Sequence, residues 1–264
     1  MVRRSLLLPC ALLVLAIAAF ACDDGSSNVT TSGLLPEGEE GGVYLALGDS
    51  IAAGEGASDP DTTDYVAQVA EALRARYGES LAVQSLAVGG HTTEDLIDTQ
   101  LAPAVEAVQQ GDVRVVTVTI GGNDLFQYSA DPDCIVDPAD PACPLEAGLA
   151  DVEQRLDQIL GDLRVAGPDT VIAIEVYPNL FSSTGHEFSR PADTAFRLLN
   201  GVIEGVARRH EVLVADPVLA FEGRGPEYTH ILDPTADFHP NDAGYDVIAE
   251  AFLEALGLEA QSDE

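Results

Sequence analysis

From Val43 onward, short apolar, β-branched runs alternate with longer stretches whose apolar positions recur at helical spacing. The runs are Val43 to Leu47, Leu81 to Val88, Val113 to Ile120, Val171 to Tyr177 and Val212 to Ala215, and each reads as a strand. Tyr65 to Tyr77, Thr93 to Gln109, Leu145 to Val165 and Ala192 to His210 read as the intervening helices, with a last helix after Asn241. Strands alternating with helices of this length imply right-handed crossovers and a parallel sheet covered on both faces, a three-layer α/β/α sandwich. Ligands of such sheets bind beyond the carboxyl ends of the strands. Ser50 follows the first strand, Gly90 the second and Asn123 the third, and His239 lies in the loop before the last helix.

The first twenty-odd residues break this pattern. Arg3 and Arg4 precede an almost wholly apolar run from Ser5 to Phe20, and Ala19-Phe20-Ala21 sets small residues just before Cys22. This reads as an export signal over residues 1–21, too short to span a bilayer. A Cys at that point resembles a bacterial lipoprotein signal, although such signals usually carry Leu where this chain has Ala19. On that reading Cys22 is lipidated and residues 22–42 form a polar tether to the outer face of a membrane; plain secretory cleavage, giving a freely secreted protein, is the alternative. Residues 43–258 then form one domain, and 259–264 an acidic tail. An exported context also favours pairing Cys134 with Cys143 as a small-loop disulfide. No His stands near that pair to complete a metal site.

Charge narrows the partners. The 264 residues carry 12 basic and 45 acidic side chains, a formal net charge of -33, and every basic residue is Arg. Such a surface repels phosphate backbones, so nucleic acid is excluded as a partner, and membrane contact is expected only through the N-terminal anchor.

Four segments carry candidate chemistry. In YLALGDSIAAGEG, Ser50 stands three residues past a strand between Gly48 and Gly54, and a helix starting just behind it would aim free N–H groups at a ligand. Asp49-Ser50 could equally cap such a helix. In SLAVGGHTTEDL, Gly89 and Gly90 end a strand, and Thr92 or Thr93 caps the next helix. A Gly N–H is an unobstructed donor to an oxyanion. In VVTVTIGGNDLF, Asn123 offers an uncharged N–H at a strand end, a group that stabilises an oxyanion without acting as a base. In TADFHPNDAGYDV, His239 is framed by Pro240, with Asn241 as the cap of the last helix. Of the other histidines, His91 borders the same strand end, whereas His186, His210 and His230 read as surface or loop residues.

These four blocks, in this order and spacing from Tyr44 to Leu256, resemble the SGNH/GDSL hydrolase family, and in detail its bacterial lysophospholipase-like esterase branch. The resemblance implies a flavodoxin-like sandwich with a five-stranded parallel sheet. It implies that Ser50 attacks an ester carbonyl, that His239 takes and returns the proton, and that the Ser50 and Gly90 N–H groups join the Asn123 side chain in an oxyanion hole. No metal or organic cofactor is called for. The family usually places an Asp three residues before the His, where this chain has Ala236. Asp237 through an altered backbone, Asp233 from further back, or a Ser/His dyad remain as alternatives, with Asp237 preferred. The expected partner is a small-molecule, lipid or glycan ester. Removal of acetyl groups from polysaccharide is an alternative chemistry, and a lipid-anchored binding protein without turnover is an alternative class.

Overall fold

A computed structural model describes residues 35, 40–128, 144–185, 189–234 and 237–258. The expected signal segment, Cys22, most of the expected tether, the expected Cys134–Cys143 disulfide, His186, Ala236 and the acidic tail lie outside the described residues.

Five strands form one parallel sheet in the order β2-β1-β3-β4-β5, where β1 is Val43–Gly48, β2 Ala82–Ser85, β3 Val113–Thr119, β4 Val171–Glu175 and β5 Leu213–Ala215. Chain order reverses at β1, because β2 lies on one side of it and β3 on the other. A right-handed crossover into β2 and another into β3 must therefore use opposite faces of the sheet. Accordingly, α1 (Tyr65–Tyr77) packs with the final helix, α9 (Asp242–Leu256), where Tyr65 stacks on Phe252 at 4.7 Å. The other face is covered by α2 (Thr93–Leu96), α3 (Ala102–Gln109), α4 (Gly122–Tyr128), α5 (Leu145–Ala166) and α6 (Ser189–Arg209). Two single-turn helices, α7 (Val218–Phe221) and α8 (Gly225–Tyr228), carry the chain from β5 toward the last loop. The inner strands β1 and β3 are buried on both faces, which accounts for their continuous apolar runs.

The expected elements are present, with two departures that shape the site. No helix begins behind Ser50: residues 50–56 form consecutive turns, and α1 starts only at Tyr65, capped by the Asp64 carboxylate accepting from Ala67 N at 2.6 Å. The single helix expected over Thr93 to Gln109 is interrupted by a π-helical turn at Ile97–Leu101. Its buried positions explain this. Leu96 and Leu101 are five residues apart, one more than a helical turn allows on a single face, while Leu101, Ala104 and Val108 resume the ordinary spacing. The wider turn also swings Gln100 inward, where it is buried at the end of β1.

Candidate active site

The end of β1 is set by Gly48. With φ +141 it adopts a backbone that side chains disfavour, and a Cβ there would meet Thr119 O at 2.0 Å. Gln100 clamps this residue from both sides: its Nε2 donates to Gly48 O at 2.8 Å, and its Oε1 accepts from Gly48 N at 2.9 Å. The next residue, Asp49, builds the turn that presents Ser50. One carboxylate oxygen accepts from Ile51 N at 3.0 Å, and the other from the buried Tyr177 hydroxyl at 2.5 Å. Thus Asp49 acts as a cap, but of a turn rather than of the helix expected there. Ser50 Oγ has no hydrogen-bond partner among the described residues.

Gly90 and Asn123 meet beside this turn. Gly90 has φ +78, and a Cβ on it would touch nothing within 4 Å, so the left-handed backbone selects glycine and open space faces it. The Asn123 amide donates to His91 O at 3.0 Å; an amide carries two N–H bonds, so one remains for a ligand. Asp124, whose role the sequence did not disclose, fastens the two strand ends together. Its carboxylate accepts from Thr93 N at 2.9 Å and Thr93 Oγ1 at 2.6 Å, across the gap between β2 and β3. Thr92 caps α2 in a reciprocal box with Asp95. His91 does line this end, with Nδ1 3.0 Å from Gln100 Nε2.

The fourth block comes from the other side of the sheet. His239 and Asp237 share a short bond, Nδ1 to Oδ1 2.6 Å, and the same carboxylate oxygen accepts the His239 backbone N–H at 3.0 Å. Partial burial opposes the charge on Asp237, but these bonds and the nearby imidazole outweigh it and hold the carboxyl below its ordinary range. An ionised carboxylate only accepts, so Nδ1 carries the proton and Nε2 is the free, basic nitrogen. Asp233 goes elsewhere: it bonds His230 Nδ1 at 2.7 Å, and His230 Nε2 lies 2.8 Å from Gly56 O. With acceptors at both nitrogens, the protonated form of His230 is favoured, its pKa raised first by the Gly56 carbonyl and then by Asp233. His230 is thus more than a loop residue, because it ties the His239 loop to the turn behind Ser50. Gly56 lies so close that an added Cβ would sit 2.9 Å from His239 Cβ.

His239 Nε2 and Ser50 Oγ are not hydrogen-bonded in this structure; Nε2 instead lies 3.5 Å from Glu55 Oε2. Catalytic hydrogen bonds often close only on substrate binding, so this spacing is compatible with a Ser/His pair. On one face the imidazole stacks with Phe238 at 4.8 Å, and Phe126 and Phe181 pack against that ring at 5.4 and 5.8 Å. Together, the arrangement offers a hydroxyl, an oriented base and unobstructed N–H donors at one end of the sheet. That is the equipment of acyl transfer.

Two buried acids sit alongside. Burial pushes Asp49 up to about 7 and Glu175 up to about 8, each pKa restrained by its hydrogen bond, from Tyr177 and from Thr119 respectively. Thr119 Oγ1 donates to Glu175 Oε2 at 2.9 Å, while Oε1 has no partner among the described residues. In the unfolded chain both acids ionise near pH 4; folded, they keep their protons until about pH 7 to 8. The folded state therefore binds more protons across that window, and these groups withdraw stability as pH rises through it. Glu175→Gln should remove part of that loss, raising stability at pH 8 by on the order of 2 kcal/mol with a smaller effect at pH 5. Urea unfolding of both proteins at the two pH values checks this; an equal shift at pH 5 and pH 8 would contradict it.

Residues 46–247 match the GDSL-like Lipase/Acylhydrolase family. The chain belongs to that family. Among curated relatives, the uncharacterized protein YpmR of Bacillus subtilis strain 168 is 28% identical over 233 residues, 82% of each chain. Phospholipase A1 from Streptomyces albidoflavus NA297 superposes with a TM-score of 0.61 at 25% identity, covering 82% of this chain and 98% of that one. The lipase Lip_vut3 from a goat rumen metagenome gives 0.64 at 23% identity, covering 81% and 96%. The acetylxylan esterase Axe2 from Geobacillus stearothermophilus gives 0.60 at 22% identity, covering 87% and 100%. This GDSL-like acylhydrolase thus has the five-stranded parallel sheet, in the order 2-1-3-4-5, of the family's solved structures. It is an ester hydrolase of that family.

Proposed function

We propose that this GDSL-like hydrolase is an exported serine carboxylesterase of the lysophospholipase-like kind. Ser50 is its nucleophile, His239 its base, and Asp237 the acid that orients the base. Ser50 Oγ attacks the ester carbonyl carbon as His239 Nε2 takes its proton. The oxyanion is held by the N–H groups of Ser50 and Gly90 and the free N–H of Asn123. The carbon–oxygen bond to the alcohol then breaks, the alcohol leaves with the proton from Nε2, and the acyl group stays on Ser50. Water, deprotonated by the same nitrogen, attacks the acyl carbon; the bond from that carbon to Ser50 Oγ breaks, Oγ takes the proton back from Nε2, and the acid is released. The observation that carries this reading is the 2.6 Å bond from Asp237 to His239 Nδ1, in a loop packed against the Ser50 turn. That bond fixes the tautomer a general base requires.

A lipid-type or other aliphatic ester is favoured over an acetylated glycan because the rings of Phe126, Phe181 and Phe238 border the imidazole, and Phe126 is exposed. Those rings offer an apolar wall that a bare acetyl group would leave uncovered. Export with lipid attachment at Cys22 completes the proposal, supported by the basic start, apolar run and small residues before that Cys. One preparation of the full-length protein from a bacterial host tests both parts. A fluorophosphonate probe should label Ser50 alone, and the mass of the N-terminal peptide should correspond to diacylated Cys22. On an ester panel, butyrate to octanoate nitrophenyl esters should be turned over faster than acetylated xylan. Labelling elsewhere would overturn the nucleophile, faster xylan deacetylation would overturn the substrate class, and an unmodified Cys22 would overturn the anchor.

A further inference from the structure

Glu55 is unused by the mechanism above, yet its carboxylate occupies the middle of the site. Its main chain is fixed on both sides: Glu55 N donates to Ser50 O at 3.0 Å, and the Tyr245 hydroxyl donates to Glu55 O at 2.7 Å. The side chain reaches across the nucleophile turn to the β2 end, where Oε1 lies 1.8 Å from where a Gly89 Cβ would be. The space beside Gly89, where a side chain would begin, is thus filled by the end of the Glu55 carboxylate. The other oxygen, Oε2, is 3.5 Å from His239 Nε2. Half of the side chain is exposed, it pairs with no Arg among the described residues, and it meets a positive charge at His239 only when that imidazole is protonated.

In the proposed reaction, Nε2 hands its proton to the departing alkoxide, so the first atoms of the leaving alcohol pass beside that nitrogen. Glu55 stands at the Nε2 edge of the imidazole, and Phe238, backed by Phe126 and Phe181, lies against its face. A carboxylate and aromatic rings together form the surroundings that attract an organic cation. The net charge of -33 adds a long-range field of the same sign. We infer that Glu55 selects esters whose leaving alcohol carries a positive charge, an amino alcohol or quaternary ammonium alcohol, and rejects those whose alcohol is a net anion. This specificity role rests on the serine esterase reading and adds a substrate class to it.

A matched pair of substrates isolates the charge: butyrylcholine and 3,3-dimethylbutyl butyrate, in which a neutral carbon replaces the ammonium nitrogen. The readout is the ratio of their kcat/KM values, because any general effect of Glu55 on His239 cancels in it. Glu55→Gln should lower the cation-to-neutral ratio about 10-fold, Glu55→Asp should keep most of it, and added salt should reduce the wild-type ratio. A ratio unchanged within twofold in Glu55→Gln would overturn the inference. So would an equal rise for both esters, which would make Glu55 a competitor of Ser50 for the imidazole instead. Nitrophenyl butyrate, assayed alongside with Ser50→Ala, separates the two levels. Absence of Ser50-dependent turnover of that ester overturns the esterase reading and this inference with it, whereas turnover with an unmoved ratio overturns the inference alone.

Discussion

Ser50→Ala and His239→Ala should each lower kcat/KM for nitrophenyl butyrate by at least about 10⁴-fold, and the double variant should fall no further than the worse single one. The two side chains act as one unit. Without Oγ there is no acyl acceptor for the base to serve, and without the imidazole the hydroxyl is a poor nucleophile at neutral pH. What survives is polarisation of the carbonyl by the Gly90 and Asn123 donors, which needs neither residue. The structure argues that the loss will be chemical and not conformational. Ser50 Oγ has no hydrogen-bond partner among the described residues, and the Ser50 turn is built by Asp49, Gln100 and Tyr177. Melting temperatures within a few degrees of wild type should therefore accompany the lost activity. Additive losses in the double variant would mean that Ser50 and His239 act in separate steps, contrary to the mechanism.

The strands and long helices were legible because burial imposes its own pattern. Val113 to Thr119 is apolar or β-branched except at Arg114, since both faces of β3 are covered. The four candidate site residues stand out for a related reason: each interrupts an apolar run at its carboxyl end, where only a turn or a ligand can satisfy polar groups. Features that depend on contacts between distant segments were not. Gln100 looks like a surface residue of a regular helix, because Ile97 and Leu101 keep the ordinary four-residue spacing and the π-helical turn leaves no mark on the apolar pattern. Asp124 stood in plain view behind Asn123, but its partner Thr93 is 31 positions away. For His230 and Gly56 the separation is 174, and local sequence holds no trace of it. The missing helix behind Ser50 has a local cause in hindsight: two glycines with positive φ, Gly54 and Gly56, stand where its first turns would be.

The proposed acid is the residue whose position sequence left open, and it carries the second large effect. Asp237→Asn should reduce kcat/KM by roughly 10²- to 10³-fold, while Asp233→Asn should cost less than about 10-fold. An Asp two positions before His239 can serve because the backbone folds back on it. Oδ1 accepts the His239 N–H at 3.0 Å, the local turn that Asx side chains favour, and this places the carboxylate in front of Nδ1 at 2.6 Å. The loop is held in that shape from outside, by His230 N donating to His239 O at 3.1 Å and by the bridge between Thr229 and Pro240. An Asn at 237 keeps an oxygen for the backbone N–H, so the loop should survive. It brings no charge to stabilise the imidazolium, and its amide can turn an N–H toward Nδ1 and favour the wrong tautomer. Water reaches a side chain that is 40% exposed, which is why the expected loss is smaller than for a fully buried acid. Asp233 acts only through His230 and Gly56, two contacts removed from the base. Kinetics of both variants with nitrophenyl butyrate decide the matter: near-wild-type rates for Asp237→Asn would make the enzyme a Ser/His dyad, and a larger loss for Asp233→Asn would move the acid to position 233.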